Sequence, residues 1–462
     1  MGSPIELRGK RVLVVGLART GVATALFCAE RGATVTCTDT RSEGELQEAV
    51  AKLKESEVSL VLGGHAEQLL GEQDLVVPSP GVPADAPLLT AAKMKGITVW
   101  SEIELAYRFL KGKLIGITGS NGKTTTTSLI EHILRQAGFT TILAGNIGTP
   151  LIACVSQSGE DTVTVAELSS FQLELIETFR PDISLLLNLT PDHLDRHHTM
   201  DAYAAAKGRI FENQDAADAA VVNADDAPAS RMAPRGPRVF WFSRKIEVAR
   251  GSFVRDEEIL FRDGEFDEWI LRSEEIPLAG AHNLENVLAA SCVCRLAGAA
   301  PHTIAKGVRS FAGVEHRLEF VAEVGGVRYY NDSKATNVDA TVKALEAFPG
   351  RILVILGGKD KGNDYTVLRD LLGERAVLAL LIGAAAEKIE KQIAGSVAIE
   401  RAGTLEHAVE AASHAARPGD IVLLAPACAS FDQFQNYEHR GRVFKELVRQ
   451  LERQAANATS GK

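Results

Sequence analysis

Leu114–Thr127 reads LIGITGSNGKTTTT and runs on into SLIEHIL. Leu114–Thr118 is a short apolar, β-prone run and Gly119-Ser120-Asn121-Gly122 a turn. From Lys123 the residues Leu129, Ile130, Ile133 and Leu134 recur on one helix face. A strand, a glycine turn and a helix N-terminus bring free backbone N–H groups and the positive helix end to one point, which makes an anion site. Lys123 adds a mobile positive charge for outer phosphates, and Thr124 a hydroxyl suited to Mg²⁺. The usual spacing is G-x-x-x-x-G-K-[ST], and Ile117 stands where its first Gly belongs, so the loop is the shorter G-S-N-G-K-T. A plain Gly/Asn turn before an ordinary helix is the competing reading; the strand before and helix after favour phosphate.

Outward from this stretch the same logic repeats. Arg11–Val15 (RVLVV) reads as a buried parallel strand, Gly16–Gly21 as a glycine turn, Val22–Arg31 as a helix, and Ala33–Thr38 as a strand ending on Asp39. That approaches the dinucleotide-binding pattern, except that Ala18 replaces the middle glycine, so a nucleotide-type ligand is expected and NAD(P) is one candidate. The strand Asp74–Val77 enters the stiff turn Pro78-Ser79-Pro80-Gly81-Val82-Pro83. Beyond Thr127, strands at Thr141–Ala144, Thr162–Ala166, Ile183–Leu187 and Ala219–Val222 are followed by Asn146, Glu167, Asn188 and Asn223. Ligands of open parallel sheets sit beyond the strands' carboxyl ends, so these residues and the Thr190–His198 loop are expected on one rim. Residues 239–276 read as a β excursion, and Ala281–Asn286 opens a helix. Phe320–Val324 and Val327–Asn331 form a hairpin, followed by parallel strands at Ile352–Leu356, Val377–Ile382 and Ile421–Leu424. The expectation is an α/β protein of three domains: Rossmann-like over 1–102, a P-loop-type mononucleotide-binding ATPase over 103–313, and Rossmann-like over 314–453, with 454–462 a disordered tail.

Composition narrows the function classes. The 462 residues exceed one ordinary core, and 45% hydrophobic with 24% charged residues suits a globular protein. A formal charge of −10 gives no support to nucleic-acid or acidic-membrane binding. The six cysteines are scattered without a C-x-x-C pair, which predicts reduced core thiols. With no signal-peptide pattern and no transmembrane-length apolar run, the expected compartment is the cytoplasm.

Several polar residues carry two readings each. Glu167 at a strand end is placed to give Mg²⁺ a hard oxygen, or merely favours a helix N-terminus. The loop Asp192-His193-Leu-Asp-Arg-His-His198 lacks an ordered zinc spacing; a histidine near phosphates competes there with a solvated polar loop. Lys207, in the helix-prone Asp201–Phe211, looks locally like any solvated lysine. Arg317, in Glu-His-Arg-Leu, offers a guanidinium fork that can reach a γ-phosphate from a second domain, or a linker arginine paired with carboxylates. Lys334, Thr336, Lys361 and Ser430 follow three separate strands, and several donors on one rim suit a small dicarboxylate.

The set TGSNGKTT, ELSSFQLE, TPDHLDRH, YAAAKGRI, AHNLENVLAA, EHRLE, NDSKATN, LGGKDKG and PACASFDQF resembles the Mur ligase superfamily. The resemblance spans nearly the whole chain, with gaps at Glu43–Gln73, Arg231–Ile276 and the tail. ELSSFQL, NDSKATN and CASFDQF are the specific motifs, and they point to the member that adds D-glutamate to UDP-N-acetylmuramoyl-L-alanine. The resemblance implies that Gly119, Ser120, Asn121, Gly122, Lys123, Thr124 and Thr125 bind ATP phosphates, and that Asn283, Asn286, Arg317 and Asp332 contact the nucleotide. It implies Thr124, Glu167 and His193 around Mg²⁺, two ions in all, with a carbamate on Lys207 as a metal-organising anion. Arg19, Thr20, Asp39, Thr40, Arg41, Ser79, Pro80 and Gly81 match uridine-diphosphate contacts and Asn146 a muramoyl contact. Lys334, Thr336, Lys361, Ser430 and Phe431 fall in motifs that hold D-glutamate, with Tyr437 where the family pattern has Phe. The implied catalytic set is Lys123, His193, Lys207 and Arg317, in a cytoplasmic monomer of peptidoglycan precursor synthesis that uses neither nucleic acid nor membrane. A sister Mur-type or folylpolyglutamate-type ligase, an NAD(P) oxidoreductase using Gly16–Gly21, and a catalytically silent nucleotide-binding regulator are the alternatives.

Overall fold

Apolar runs separated by helical periodicity form three sheets. The structure is a computed structural model and describes residues 5–65, 67–278 and 280–460. The first sheet comprises β1 (Arg11–Val15), β2 (Thr34–Asp39), β3 (Val58–Leu62), β4 (Leu75–Pro78) and β5 (Thr98–Val99) in the order β3-β2-β1-β4-β5, all parallel. Apart from Arg11, β1 and β4 are buried throughout, which is why they read as continuous apolar runs. The helix Arg19–Glu30 returns the chain from β1, starting three residues earlier than its apolar pattern indicates.

The second sheet has nine strands: β6 (Lys113–Thr118), β7 (Thr140–Gly145), β8 (Thr162–Glu167), β9 (Ile183–Leu186), β10 (Ala219–Asn223), β11 (Arg238–Ser243), β12 (Gly251–Arg255), β13 (Glu258–Arg262) and β14 (Asp267–Arg272). Their order is β14-β13-β12-β11-β10-β9-β6-β8-β7. The β excursion is thus an extension of this sheet, antiparallel from β12 to β14. The third sheet holds β15 (Glu319–Val324), β16 (Val327–Asn331), β17 (Ile352–Gly357), β18 (Ala376–Ile382), β19 (Ile399–Gly403) and β20 (Ile421–Leu424), ordered β15-β16-β20-β17-β18-β19. Only its β15-β16 hairpin is antiparallel.

The first two sheets share one hydrophobic core. Glu104 fastens it: the carboxylate is fully buried and accepts the backbone N–H groups of Glu177, Thr178 and Phe179 and the Thr178 hydroxyl at 2.7–2.9 Å. Arg108 pairs with it at 2.8 Å while stacking 3.9 Å over the Trp100 ring. A buried charge needs such a full complement of donors, because an unmatched one is strongly destabilising. The three sheets accordingly make two compact units: the chain to Ser273 with Asn286–Arg309, and Glu274–Glu285 with Ser310 onward.

The last helix, Tyr437–Ser460, carries the polar stretch from Gln454 as helix where the sequence predicts a disordered tail; Gly461 and Lys462 lie outside the described residues. All six cysteines are buried and unpaired, as expected. Among the described residues no helix is long and apolar enough to cross a membrane.

Candidate active site

The turn after β6 is fixed from two sides. Gly119 and Gly122 both have positive φ, +147° and +84°, and a Cβ on Gly122 would lie 2.4 Å from Asn286 Oδ1. Only glycine supplies this backbone and this clearance. The backbone N–H of Ser120 donates to Asn188 O at 3.0 Å, its hydroxyl to Thr190 O at 2.9 Å, and the N–H of Asn121 to Asn188 Oδ1 at 2.8 Å. The segment after β9, through Asn188 and Thr190, therefore moulds the loop. Gly122 caps the helix Lys123–Gln136 without a side-chain acceptor, and a helix N-terminus of this kind is an anion-binding end. Asn286 accepts from the Thr126 hydroxyl at 3.1 Å. Lys123 lies back over the turn, donating to Gly119 O at 2.8 Å and Ser120 O at 2.7 Å, while Thr124 and Thr125 are buried in the first helical turn.

Beside this loop sit two buried charged groups. Glu167, 2% exposed at the end of β8, accepts the Asn146 amide at 2.8 Å through Oε1, and its Oε2 has no hydrogen-bond partner among the described residues. A buried carboxylate oxygen without a donor is costly, and a bound cation would relieve it. Lys207, also 2% exposed, donates to Gly119 O at 2.8 Å and lies 4.7 Å over the Tyr203 ring. Burial first, and then neighbouring Lys123, push its pKa well below the lysine range. His193 takes a left-handed backbone conformation (φ 54°), pairs with Asp192 at 3.6 Å, and meets Phe171 edge-on at 4.9 Å.

The first sheet supplies a cavity of about 410 Å³. Arg19, Thr20, Asp39, Thr40, Arg41, Ser79, Pro80, Gly81 and Asn146 all line it, joined by His65, Val82 and Gln172, which the sequence did not single out. Burial would raise the Asp39 carboxyl, but hydrogen bonds from the Arg41 guanidinium and from the N–H groups of Leu17 and Arg41 outweigh it and hold the pKa well below the usual range. Ala18 is exposed and lines the cavity; a Cβ at Gly21, by contrast, would fall 1.9 Å from Gly16 O. Arg196 ties this cavity to the histidine loop, donating to Val82 O at 3.1 Å and Glu174 at 2.7 Å and lying 4.6 Å over Phe171.

In the third sheet's unit, Asp332 follows β16 and is buried, which raises its carboxyl to about 6 against the opposing pull of Arg317 and Lys334. Burial and the field of Arg317 also depress His282 to about 3. Asn283 is buried in the first turn of the helix Ala281–Ala297. Lys334 lies 5.5 Å over the Tyr437 ring, Thr336 is half-buried on the same loop, Ser430 is buried, and Lys361 and Phe431 are exposed. Arg440 was not foreseen. Fully buried, it donates to Ser333 O at 2.8 Å, Ser333 Oγ at 3.0 Å and Cys428 O at 3.2 Å, so it joins the loop after β16 to the loop after β20. Its spacing with Phe444 and Val448 on the buried face of the last helix was the available signal.

Family comparisons agree with this layout. The Mur ligase MurD-like N-terminal domain matches residues 10–101, the Mur ligase middle domain 117–294, and the Mur ligase glutamate ligase domain 316–428. The UDP-N-acetylmuramoylalanine–D-glutamate ligase of Koribacter versatilis is 55% identical over 97% of this chain and 99% of its own length. The enzyme of the same name from Acidobacterium capsulatum is 56% identical over 96% and 97%. Among solved structures, Thermotoga maritima MurF ligase in complex with ADP superposes with a TM-score of 0.60 at 18% identity, covering 97% of each chain. A pseudomurein peptide ligase type C from Methanothermus fervidus gives 0.59 at 18%, covering 96% of this chain and all of that one. These two show the shared fold. With whole-length identity above one half, the chain belongs to the ATP-dependent Mur ligase family, in its UDP-N-acetylmuramoylalanine–D-glutamate ligase branch.

Proposed function

We propose that this protein joins D-glutamate to UDP-N-acetylmuramoyl-L-alanine at the expense of ATP, in the cytoplasm, as a monomer, through an acyl phosphate. The carboxylate of the sugar nucleotide attacks the γ-phosphorus and ADP leaves; the D-glutamate amine then attacks the acyl carbon and phosphate leaves. One observation supports this reading above the others. Asn146 lines the first-sheet cavity and also donates to Glu167, whose second oxygen has no partner among the described residues. A single side chain thus touches both the wall of the sugar-nucleotide cavity and the acid beside the phosphate loop.

The donor set fits Mg²⁺. Thr124, Glu167 and His193, with a carbamate on Lys207, would hold two ions, which supply charge neutralisation as one anion approaches another. The residues do the rest. Gly119–Thr125 cradle the phosphates; Lys123 and Arg317 counter the charge spread over the transferring phosphoryl; Asn283, Asn286 and Asp332 seat the nucleotide. Arg19, Thr20, Asp39–Arg41 and Ser79–Gly81 hold the uridine diphosphate. Lys334, Thr336, Lys361, Ser430, Phe431 and Tyr437 hold D-glutamate. The parcels 1–102, 103–313 and 314–453 serve sugar nucleotide, ATP and amino acid in turn.

ADP release with UDP-N-acetylmuramoyl-L-alanine tests the reading: it should require D-glutamate and fail with L-glutamate, L-lysine or diaminopimelate. Release driven equally by another acceptor would reject it. Two substrate-specific predictions accompany it. Lys361→Ala and Thr336→Ala should each raise the D-glutamate KM about tenfold or more, the cost of a charge-assisted hydrogen bond, with the ATP KM nearly unchanged. A rise confined to ATP would show misassignment. Arg196→Ala should raise the KM of the sugar nucleotide about tenfold, since the turn Ser79–Val82 loses its tie to Glu174, again sparing ATP.

A further inference from the structure

Lys361 follows β17 and Ser430 follows β20, so the fit of a small dicarboxylate between them depends on how those two loops are held together. Backbone pairing does part of this. The N–H of Lys359 donates to Ala429 O at 2.8 Å, that of Ala429 to Lys359 O at 3.2 Å, and the Asn363 amide to Ala427 O at 3.1 Å. Beneath them lies Tyr365, fully buried, its hydroxyl 2.8 Å from Asp360 Oδ1 on the first loop and 3.0 Å from Cys428 Sγ on the second. Asp360 precedes Lys361 directly, and Cys428 stands two residues before Ser430. A buried phenol cannot itself meet the substrate, and packing alone would be served by phenylalanine.

The donors in this tie run in one direction. Asp360 also accepts Lys388 at 2.7 Å and the N–H of Asn363 at 3.1 Å. Burial would raise its carboxyl, but Lys388, Tyr365 and the Asn363 N–H outweigh it and hold the pKa below the usual range. A carboxylate only accepts, so the Tyr365 O–H donates to it. Burial pushes the Cys428 thiol up to about 11, so the S–H keeps its proton and donates to the phenol oxygen. Cys428 O in turn accepts Arg440 at 3.2 Å, and Arg440 reaches Ser333 O, next to Lys334, at 2.8 Å. Removing the one hydroxyl leaves a buried thiol without its acceptor and a carboxylate one donor short.

We propose that Tyr365 is a positioning residue for D-glutamate: its hydroxyl, by tying Asp360 to Cys428, sets Lys361 against Ser430 across the amino-acid site. The inference rests on the assignment of those two residues to D-glutamate. Steady-state ADP release by Tyr365→Phe should show a D-glutamate KM raised about tenfold, with kcat and the KM of ATP and of the sugar nucleotide within about twofold. Placed on Lys361→Ala, the same change should add less than about twofold, because the ammonium it positions is gone. Cys428→Ala cuts the tie from the other loop and should also raise the D-glutamate KM alone, which keeps the test open if Tyr365→Phe melts too low to assay. An unchanged D-glutamate KM in Tyr365→Phe, a rise shared by all three substrates, or full additivity with Lys361→Ala would overturn the proposal. If Lys361→Ala itself spares the D-glutamate KM, the substrate assignment falls and this inference with it; if only Tyr365→Phe and Cys428→Ala spare it, the inference falls alone.

Discussion

Alanine in place of Lys123 is expected to lower ATP-dependent ligation about a thousandfold, as loss of a charge-stabilising donor at a reacting phosphate does. Its ammonium is bonded here to two loop carbonyls, Gly119 O and Ser120 O, at the turn whose backbone amides open toward the same point. Phosphate oxygens are stronger acceptors for an ammonium than neutral carbonyls, so nucleotide binding draws the side chain off the turn at little cost. Lys123→Arg should restore little, because a planar fork cannot replace a point charge in so close a turn, where Asn286 already crowds Gly122. Both variants should fold, since Lys123 is only half-buried and the loop keeps its bonds to Asn188 and Thr190. Steady-state ADP release and thermal melts check the two halves together. Activity within tenfold of wild type would take Lys123 out of the phosphate site.

What could be read from the chain, and what could not, follows from how local each device is. The phosphate loop is a strand, a turn and a helix in succession, so its chemistry is written in consecutive residues. The first-sheet cavity was legible for the same reason: its walls are the ends of β1, β2 and β4, where polar residues follow apolar runs. The missing glycine at Ala18 looked like a flaw, and it is none, because that position faces the cavity while Gly21 faces backbone. Glu104, Arg196 and Arg440 escaped notice because their partners lie far along the chain: Phe179, Val82 and Ser333 respectively. A charged residue with no nearby partner reads as a solvated one. The edge strands β3 and β19 also escaped, as they are only partly buried and carry no clean apolar run. The last helix runs on through Ser460, where composition alone predicts a loose tail. Once a long helix is nucleated, each further residue extends it cheaply, and the alanines after Gln454 are strong helix formers.

Lys207 carries the last and most revealing expectation. Removing its amine should abolish ligation, and Lys207→Ala should recover part of its activity when formate or acetate is supplied. The argument starts from protonation. An ordinary lysine is an ammonium ion and cannot attack CO₂; burial first, and then the charge of Lys123, lower the pKa of this one well below the lysine range and so ease loss of its proton. A neutral amine donates its lone pair to CO₂, forms the N–C bond and releases a proton, leaving a carbamate anion beside Lys123 and near Glu167 and Asp192. A short carboxylate can occupy the space left by alanine and restore that negative charge. The same depressed pKa fixes a stability signature in CO₂-free buffer. The unfolded chain keeps the proton up to about pH 10.4, whereas the folded chain loses it at much lower pH. Across that window the unfolded state binds more protons, so wild-type stability rises with pH. Lys207→Met, lacking the titration, should therefore be more stable than wild type at pH 6, with the difference shrinking toward pH 10. Carbon-13 spectra of wild type under labelled CO₂ should show a carbamate carbon that both variants lack. Failure of rescue together with a missing carbamate signal would leave Lys207 a structural lysine and remove the carbamate from the proposed Mg²⁺ donor set.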